Sequence, residues 1–299
     1  MAEPERIEIV EMAPRDGLQN EPGTVVTADK AALVDALSTC GFARIEATSF
    51  VSPRWVPQLA DAADLMARIR RAPGVRYGTL TPNMRGLEGA LAARADWVAV
   101  FASASEGFSR ANINCSVAES LERFRPVCEA AAGAGVPVRG YVSCVVRCPH
   151  DGAVEPGAVA GVTRSLLAMG CHEVSLGDTI GAGDAASVEA MLRAVLDVAP
   201  PGVLAGHFHD TSGRAVECVA ASAALGLRVF DGAVGGLGGC PYAPGAPGNV
   251  DTLALDAWAR GSGFATGLDR AALERAAALA RSLVTHREAA APSEAPTSA

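Results

Sequence analysis

The chain has 299 residues, 49% of them hydrophobic, which suffices for one barrel-sized core or two smaller ones. A net charge of -8 and a pI of about 5.2, with no basic block, speak against nucleic acid and anionic membranes as partners. No apolar run is long enough to span a bilayer, and the acidic residues 1–6 are unlike a signal or transit peptide, so a cytoplasmic protein is expected.

Short apolar runs predict strands at residues 7–12, 44–48, 76–80, 97–101, 136–145, 173–176, 203–208 and 229–234. Ala- and Leu-rich segments between them predict helices starting near Ala28, Pro57, Met84, Val117, Pro156, Asp184 and Arg214. Several carry cap signals, such as Thr27-Ala28-Asp29 and Gly183-Asp184. The strand runs are apolar throughout rather than alternating, as parallel strands covered on both faces should be. Roughly eight βα repeats point to a TIM (β/α)8 barrel. The rival is a doubly wound open sheet, and no G-x-G-x-x-G follows the first strand to support it. A glycine-rich loop at 235–248 and two extra carboxyl-terminal helices, 251–260 and 269–287, come after the eighth strand. One catalytic domain over 1–287 and a disordered tail over 288–299 are expected.

Eight cysteines form no C-x-x-C pair, and most lie in apolar stretches. They read as small buried hydrophobes in a reducing compartment. Cys240 differs, because it lies in the glycine-rich loop and a thiol there is accessible for acid–base work. By itself it reads better as an incidental loop residue.

Polar residues collect where the strands end: Arg15 and Asp16, Glu46 and Ser49, Asn83, Tyr141 and Ser143, Asp178, His207 and His209, Cys240 and Asn249. In a TIM barrel that face carries the active site. Singly, each reads as a cap or turn residue, the better reading for Asn83 and Ser49 and an equal one for Asp178. His207 and His209 are two apart, so on a strand both imidazoles point one way and form half of a divalent-metal site. Asp16 and Asn249 can complete it from opposite ends of the chain. One Asp, two His and an Asn carbonyl suit Mg²⁺ or Mn²⁺, with water and substrate oxygens in the other positions.

Together these residues resemble the 3-hydroxy-3-methylglutaryl-CoA lyases, within the metal-dependent TIM-barrel lyases and carboligases. The likeness rests on Pro14-Arg15-Asp16-Gly17-Leu18-Gln19-Asn20-Glu21, on Thr48-Ser49-Phe50-Val51-Ser52-Pro53, on Asn112-Ile113-Asn114 and on Arg139-Gly140-Tyr141-Val142-Ser143-Cys144. It continues through Ser175-Leu176-Gly177-Asp178-Thr179, His207-x-His209-Asp210-Thr211 and Gly238-Gly239-Cys240-Pro241-Tyr242-Ala243. The resemblance implies Asp16, His207, His209 and Asn249 as ligands of Mg²⁺ or Mn²⁺. It implies Arg15 for the enolate, Cys240 as loop acid or base, and Glu46 and Asp178 as supporting catalytic groups. Tyr141, Asn112, Ser49 and Thr179 would meet the acyl-CoA substrate, and His207 or Asp16 would take the C3 hydroxyl proton. A cytoplasmic homodimer is expected, with a place in leucine degradation or ketone-body formation. Two departures stand beside the site: Ser212 replaces an aromatic residue, and Pro247 interrupts a Gly-Ala-Ser-Gly-Asn pattern. They leave open another branched 3-hydroxyacyl-CoA, such as citramalyl-CoA. A carboligase of the isopropylmalate synthase type shares Arg-Asp-Gly and H-x-H but lacks the Gly-Gly-Cys-Pro-Tyr-Ala loop. A non-catalytic metal-binding barrel would be expected to lose Arg15 or Cys240.

Overall fold

The structure, a computed structural model, describes residues 4–21, 23–238 and 248–288. Within them β1 (Glu8–Glu11), β2 (Arg44–Ser49), β3 (Arg76–Leu80), β4 (Trp97–Ser103) and β5 (Val138–Ser143) run parallel. A small antiparallel hairpin of β6 (Arg147–Cys148) and β7 (Gly152–Ala153) follows. The barrel then resumes with β8 (Cys171–Asp178), β9 (Leu204–Phe208) and β10 (Val229–Gly232), and β10 pairs with β1 to close it. The crossovers carry α1 (Thr27–Leu37), α2 (Ala62–Arg68), α3 (Met84–Ala92), α4 (Glu106–Ile113), α5 (Val117–Gly133), α6 (Pro156–Ala168), α7 (Ala185–Leu196) and α8 (Ala215–Ala224). Two more helices, α9 (Thr252–Gly261) and α10 (Arg270–Glu288), follow the last strand. This is the expected TIM barrel with extra carboxyl-terminal helices.

Several helices begin where local chemistry says they should, but Thr27, expected to cap, is instead the first residue of α1, whose N-cap Val26 has no side-chain cap bond. Asn83 caps α3 by accepting the Gly86 N–H at 2.9 Å, so its cap reading holds. Ser116 with Glu119 and Asp184 with Ser187 close reciprocal capping boxes on α5 and α7. Three expectations shift. The segment expected to be helical from Pro57 first makes a 3₁₀ turn, Pro57–Leu59, and α2 starts at Ala62. Strand β8 runs on to Asp178, beyond the expected 176. Helix α4 and the β6–β7 hairpin were not anticipated. They depend on each other: Asp151 in the hairpin accepts from Gly107 N at 2.6 Å and Ser105 Oγ at 2.7 Å, which pins the start of α4.

Alternate strand residues face two different environments. Ile45, Ala47, Val138, Val142, Val174, Leu176, Leu204, Phe208 and Phe230 join an apolar sheath under the helices. Inside the barrel, Val10, Met12, Leu80, Trp97 and Ala99 fill one side. The other side is charged: Arg44, Glu46, Arg139, Glu173 and Asp231 are all buried. TIM-barrel interiors are usually built from branched apolar residues, so this column needs a reason. The seven described cysteines are free and buried, as expected. No described helix is long and apolar enough to cross a membrane. Of the expected tail, Glu288 ends α10 and the rest lies outside the described residues.

Candidate active site

Strand β1 ends in a π-helical turn, Ala13–Gly17. The Met12 carbonyl accepts the N–H groups of Arg15, Asp16 and Gly17 at 3.1, 2.9 and 3.1 Å. This wide turn, of a kind common at functional sites, lifts two consecutive charged residues over the barrel mouth. Arg15 donates through Nε to Glu46 Oε2 at 2.7 Å and lies 2.5 Å from Asp16 Oδ1 through Nη1. Burial works against its charge, but Glu46 and Asp16 outweigh that and hold the guanidinium protonated. Its Cζ stands 5.6 Å from the Tyr141 ring centre. Tyr141 Oη in turn meets Glu46 Oε2 at 3.3 Å, and burial pushes the phenol well above its usual range.

The two imidazoles arrive from the end of β9, as period two required. His207 Nε2 and His209 Nε2 lie 3.7 and 3.8 Å from Asp16 Oδ2. One ligand atom from each of Asp16, His207 and His209 lies within 4.8 Å of the others. Donors held at about 2.1 Å around one cation are roughly 3 to 4 Å apart, so the set fits a divalent ion. Burial raises the Asp16 carboxyl, but Arg15 and the imidazoles hold it well below the usual carboxylate range. It is therefore ionised, as a ligand must be.

Asn249 reaches the same point, with one correction. Its amide nitrogen, rather than the expected carbonyl oxygen, faces the site: Nδ2 donates to Asp16 Oδ2 at 2.8 Å and to the Leu237 carbonyl at 3.2 Å. The reason is that an ionised carboxylate accepts only, and a half-turn of the amide exchanges its oxygen for its nitrogen. The Gly238 and Gly248 backbones meet beside it. A Cβ on Gly238, at φ 102°, would lie 2.5 Å from Asn249 Nδ2, and one on Gly248 would overlap the Gly238 carbonyl. These glycines form the neck of the loop that carries Cys240, which itself lies outside the described residues, as does Pro247.

Three other candidates hydrogen-bond to the backbone, and Asn112 is exposed. Ser49 Oγ donates to the Leu80 carbonyl at 3.2 Å. Thr179 Oγ1 accepts the Cys144 N–H at 2.9 Å. Asp178 accepts from Ala182 N and Gly183 N at 3.2 and 2.7 Å, which closes the loop before α7. Asn112 is exposed on α4. Ser212, one of the departures, donates to the Gly181 carbonyl at 2.5 Å.

Sequence reasoning missed the groups that back this site. Asp231 Oδ2 lies 3.1 Å from His207 Nδ1 and accepts from Ser175 Oγ at 2.9 Å. Burial raises the Asp231 carboxyl, but Arg139 and His207 outweigh it and hold it far below the usual range. Arg139 Nη2 is 2.8 Å from Asp231 Oδ1, off the axis of an ideal hydrogen bond, and Arg139 Nε donates to Glu173 Oε1 at 2.6 Å. Glu11 was missed as well. Its Oε1 accepts from Ala13 N at 2.8 Å and Val234 N at 3.0 Å, and its Oε2 meets Thr252 Oγ1 at 2.8 Å. It thus joins the turn that carries Asp16 to the segments flanking Asn249. The available signal was a charged residue inside each otherwise apolar strand run.

The chain is similar to known proteins over most of its length. A solved HMG-CoA lyase from Brucella melitensis superposes with a TM-score of 0.93 at 62% identity, covering 94% of this chain and 99% of that one. A 3-hydroxy-3-isohexenylglutaryl-CoA/hydroxy-methylglutaryl-CoA lyase from Pseudomonas aeruginosa is 53% identical over 270 residues, 90% of each chain. The mitochondrial hydroxymethylglutaryl-CoA lyase of Gallus gallus is 52% identical over 266 residues, 89% of each chain. The HMGL-like family profile matches residues 6–280, and the chain belongs to that family.

Proposed function

We propose that the protein is a divalent-metal-dependent carbon–carbon lyase that cleaves 3-hydroxy-3-methylglutaryl-CoA to acetyl-CoA and acetoacetate. The observation that carries this reading is the convergence of Asp16, His207 and His209 beside a buried Arg15–Glu46 pair at the barrel mouth. Asp16, His207, His209 and Asn249 (after an amide turn) hold Mg²⁺ or Mn²⁺. Bound there, the ion supplies a Lewis acid that lowers the pKa of the substrate C3 hydroxyl. His207 or Asp16 takes that hydroxyl proton as the C2–C3 bond breaks. The electron pair moves onto the thioester oxygen, where Arg15 meets the developing charge. Cys240 delivers a proton to C2 and so releases acetyl-CoA. Glu46 and Tyr141 keep Arg15 in place, and Asp178 shapes the loop beside His209. Asn112, Ser49 and Thr179 belong to this reading as substrate contacts, and a cytoplasmic homodimer as its setting.

The test is product analysis after incubation with 3-hydroxy-3-methylglutaryl-CoA. Equimolar acetyl-CoA and acetoacetate should form, chelation should stop turnover, and Mg²⁺ or Mn²⁺ should restore it. Full turnover in excess chelator, with no metal in the protein, would sink the reading. Ser212, which the family resemblance sets against an aromatic residue, supports a second reading, the same chemistry on another branched 3-hydroxyacyl-CoA such as citramalyl-CoA. A panel of acyl-CoA substrates ranked by kcat/KM decides between them.

A further inference from the structure

The surroundings of His207 are as ordered behind the ring as in front of it. Asp231, buried at 1% exposure, places Oδ2 3.1 Å from His207 Nδ1. The same carboxylate accepts from Ser175 Oγ at 2.9 Å and pairs with Arg139 at 2.8 Å. Arg139 is fixed in its turn by Glu173 at 2.6 Å and by Tyr141 Oη at 2.9 Å, and Arg44 holds Glu173 from the other side at 2.9 Å. A carboxylate paired with arginine accepts hydrogen bonds and donates none. The ring atom facing Asp231 must therefore be an N–H. An imidazole that ligates a metal is neutral, with one N–H and one lone pair, so with Nδ1 protonated the lone pair sits on Nε2. Nε2 is the atom that faces Asp16 Oδ2 at 3.7 Å.

We infer that Asp231, paired with Arg139, is a positioning residue that fixes His207 in its Nδ1–H tautomer and so presents the Nε2 lone pair to a divalent cation. Free neutral imidazole side chains prefer the opposite tautomer, so the buried column sets this preference and the metal need not. The inference gives the charged interior its reason: four strands support one ring orientation, as carboxylate partners do for metal-bound histidines generally. It rests on the metal-dependent reading above. With Nδ1 given to Asp231 and Nε2 to the cation, His207 has no nitrogen left for the C3 hydroxyl proton, so of the two bases proposed above the inference selects Asp16.

The test begins with metal-free wild-type protein labelled with ¹⁵N-histidine. Long-range ¹H–¹⁵N correlation should show His207 protonated on Nδ1, and an Nε2–H form would overturn the inference without any variant. Mn²⁺ binding, read by electron paramagnetic resonance, should weaken by about 10- to 100-fold in Asp231→Ala and Asp231→Asn. Ser175→Ala, which leaves both Arg139 and His207 on the carboxylate, should bind Mn²⁺ nearly as wild type. Folded Asp231→Ala with wild-type Mn²⁺ affinity and an Nδ1–H ring would overturn the positioning role. Failure of the wild type to bind Mn²⁺ at all would instead overturn the metal-dependent reading, and this inference with it.

Discussion

The apolar sheath and the charged interior treat a buried carboxylate in opposite ways. Glu11 alternates with Ile7 and Ile9, so it points into the sheath, and its partners there are two backbone N–H groups and a hydroxyl. Burial pushes it up to about 7. Asp231 points inward, where Arg139 and His207 hold it far below the usual range against the same burial. At Glu11 neutral donors leave burial dominant, whereas at Asp231 two charged partners overcome it; Glu46, paired with Arg15 alone at close range, lies between, still raised by burial. The comparison separates two jobs. The sheath supplies stability and accepts neutral groups. The interior keeps charges fixed where the site needs them.

Breaking the interior should have the largest effect. Arg139→Met removes the arginine from Asp231 and leaves the buried carboxylate with only Ser175 and His207 as partners. The expected loss is about 3–5 kcal/mol of stability, measured by urea unfolding. A near-neutral result would mean that the column is ordinary filling. Leu204→Ala tests the sheath on the same strand that bears His207. Leu204 is fully buried and faces outward, so truncation should cost about 2–5 kcal/mol. The kcat of the folded fraction should not change, because the inward face of β9 keeps its partners. A fall in kcat that matches the fall in stability would erase the distinction between the two faces.

Arg15→Gln sharpens the comparison at the mouth. If the guanidinium meets charge that develops on the thioester oxygen, the loss belongs in kcat, at about 2.7–4 kcal/mol of activation free energy. An unchanged kcat with a raised KM would make Arg15 a ground-state binding group.

Much of this was legible locally. The starts of α3, α5 and α6 follow from Asn83, Ser116 and Pro156, which act on their own backbone within one turn. The aim of His207 and His209 follows from strand period alone. What could not be read depends on partners far along the chain. Helix α4 needs Asp151, 44 residues beyond Gly107. The Asn249 amide turns its nitrogen inward because of Asp16, 233 residues away. Arg139 and Asp231 hid for another reason. Strands buried on both faces read as continuous apolar runs, so nothing in the sequence says which face is the inside. A charged residue in such a run marks the inside only when a second one answers it across the barrel, and Glu11, which nothing answers, points outward.

That exception gives the finest test. The contacts of Glu11 include no cation: Oε1 accepts two N–H groups, and Oε2 accepts from Thr252 Oγ1. Its pKa moves from 4.5 in the unfolded chain to about 7 in the folded one. Between these values the folded state binds the extra proton, so stability falls as pH rises. The contribution of Glu11 is fully present below pH 4.5 and is lost by about pH 7. Glu11→Gln keeps one accepting oxygen and one donor to Thr252, and it does not ionise. The variant should match wild type near pH 4.5 and exceed it by on the order of 1–3 kcal/mol at pH 8, read from urea midpoints across that range. A constant difference at every pH would show that Glu11 stays charged in the sheath, and that the two regions do not divide buried carboxylates as the contacts of Glu11 and Asp231 indicate.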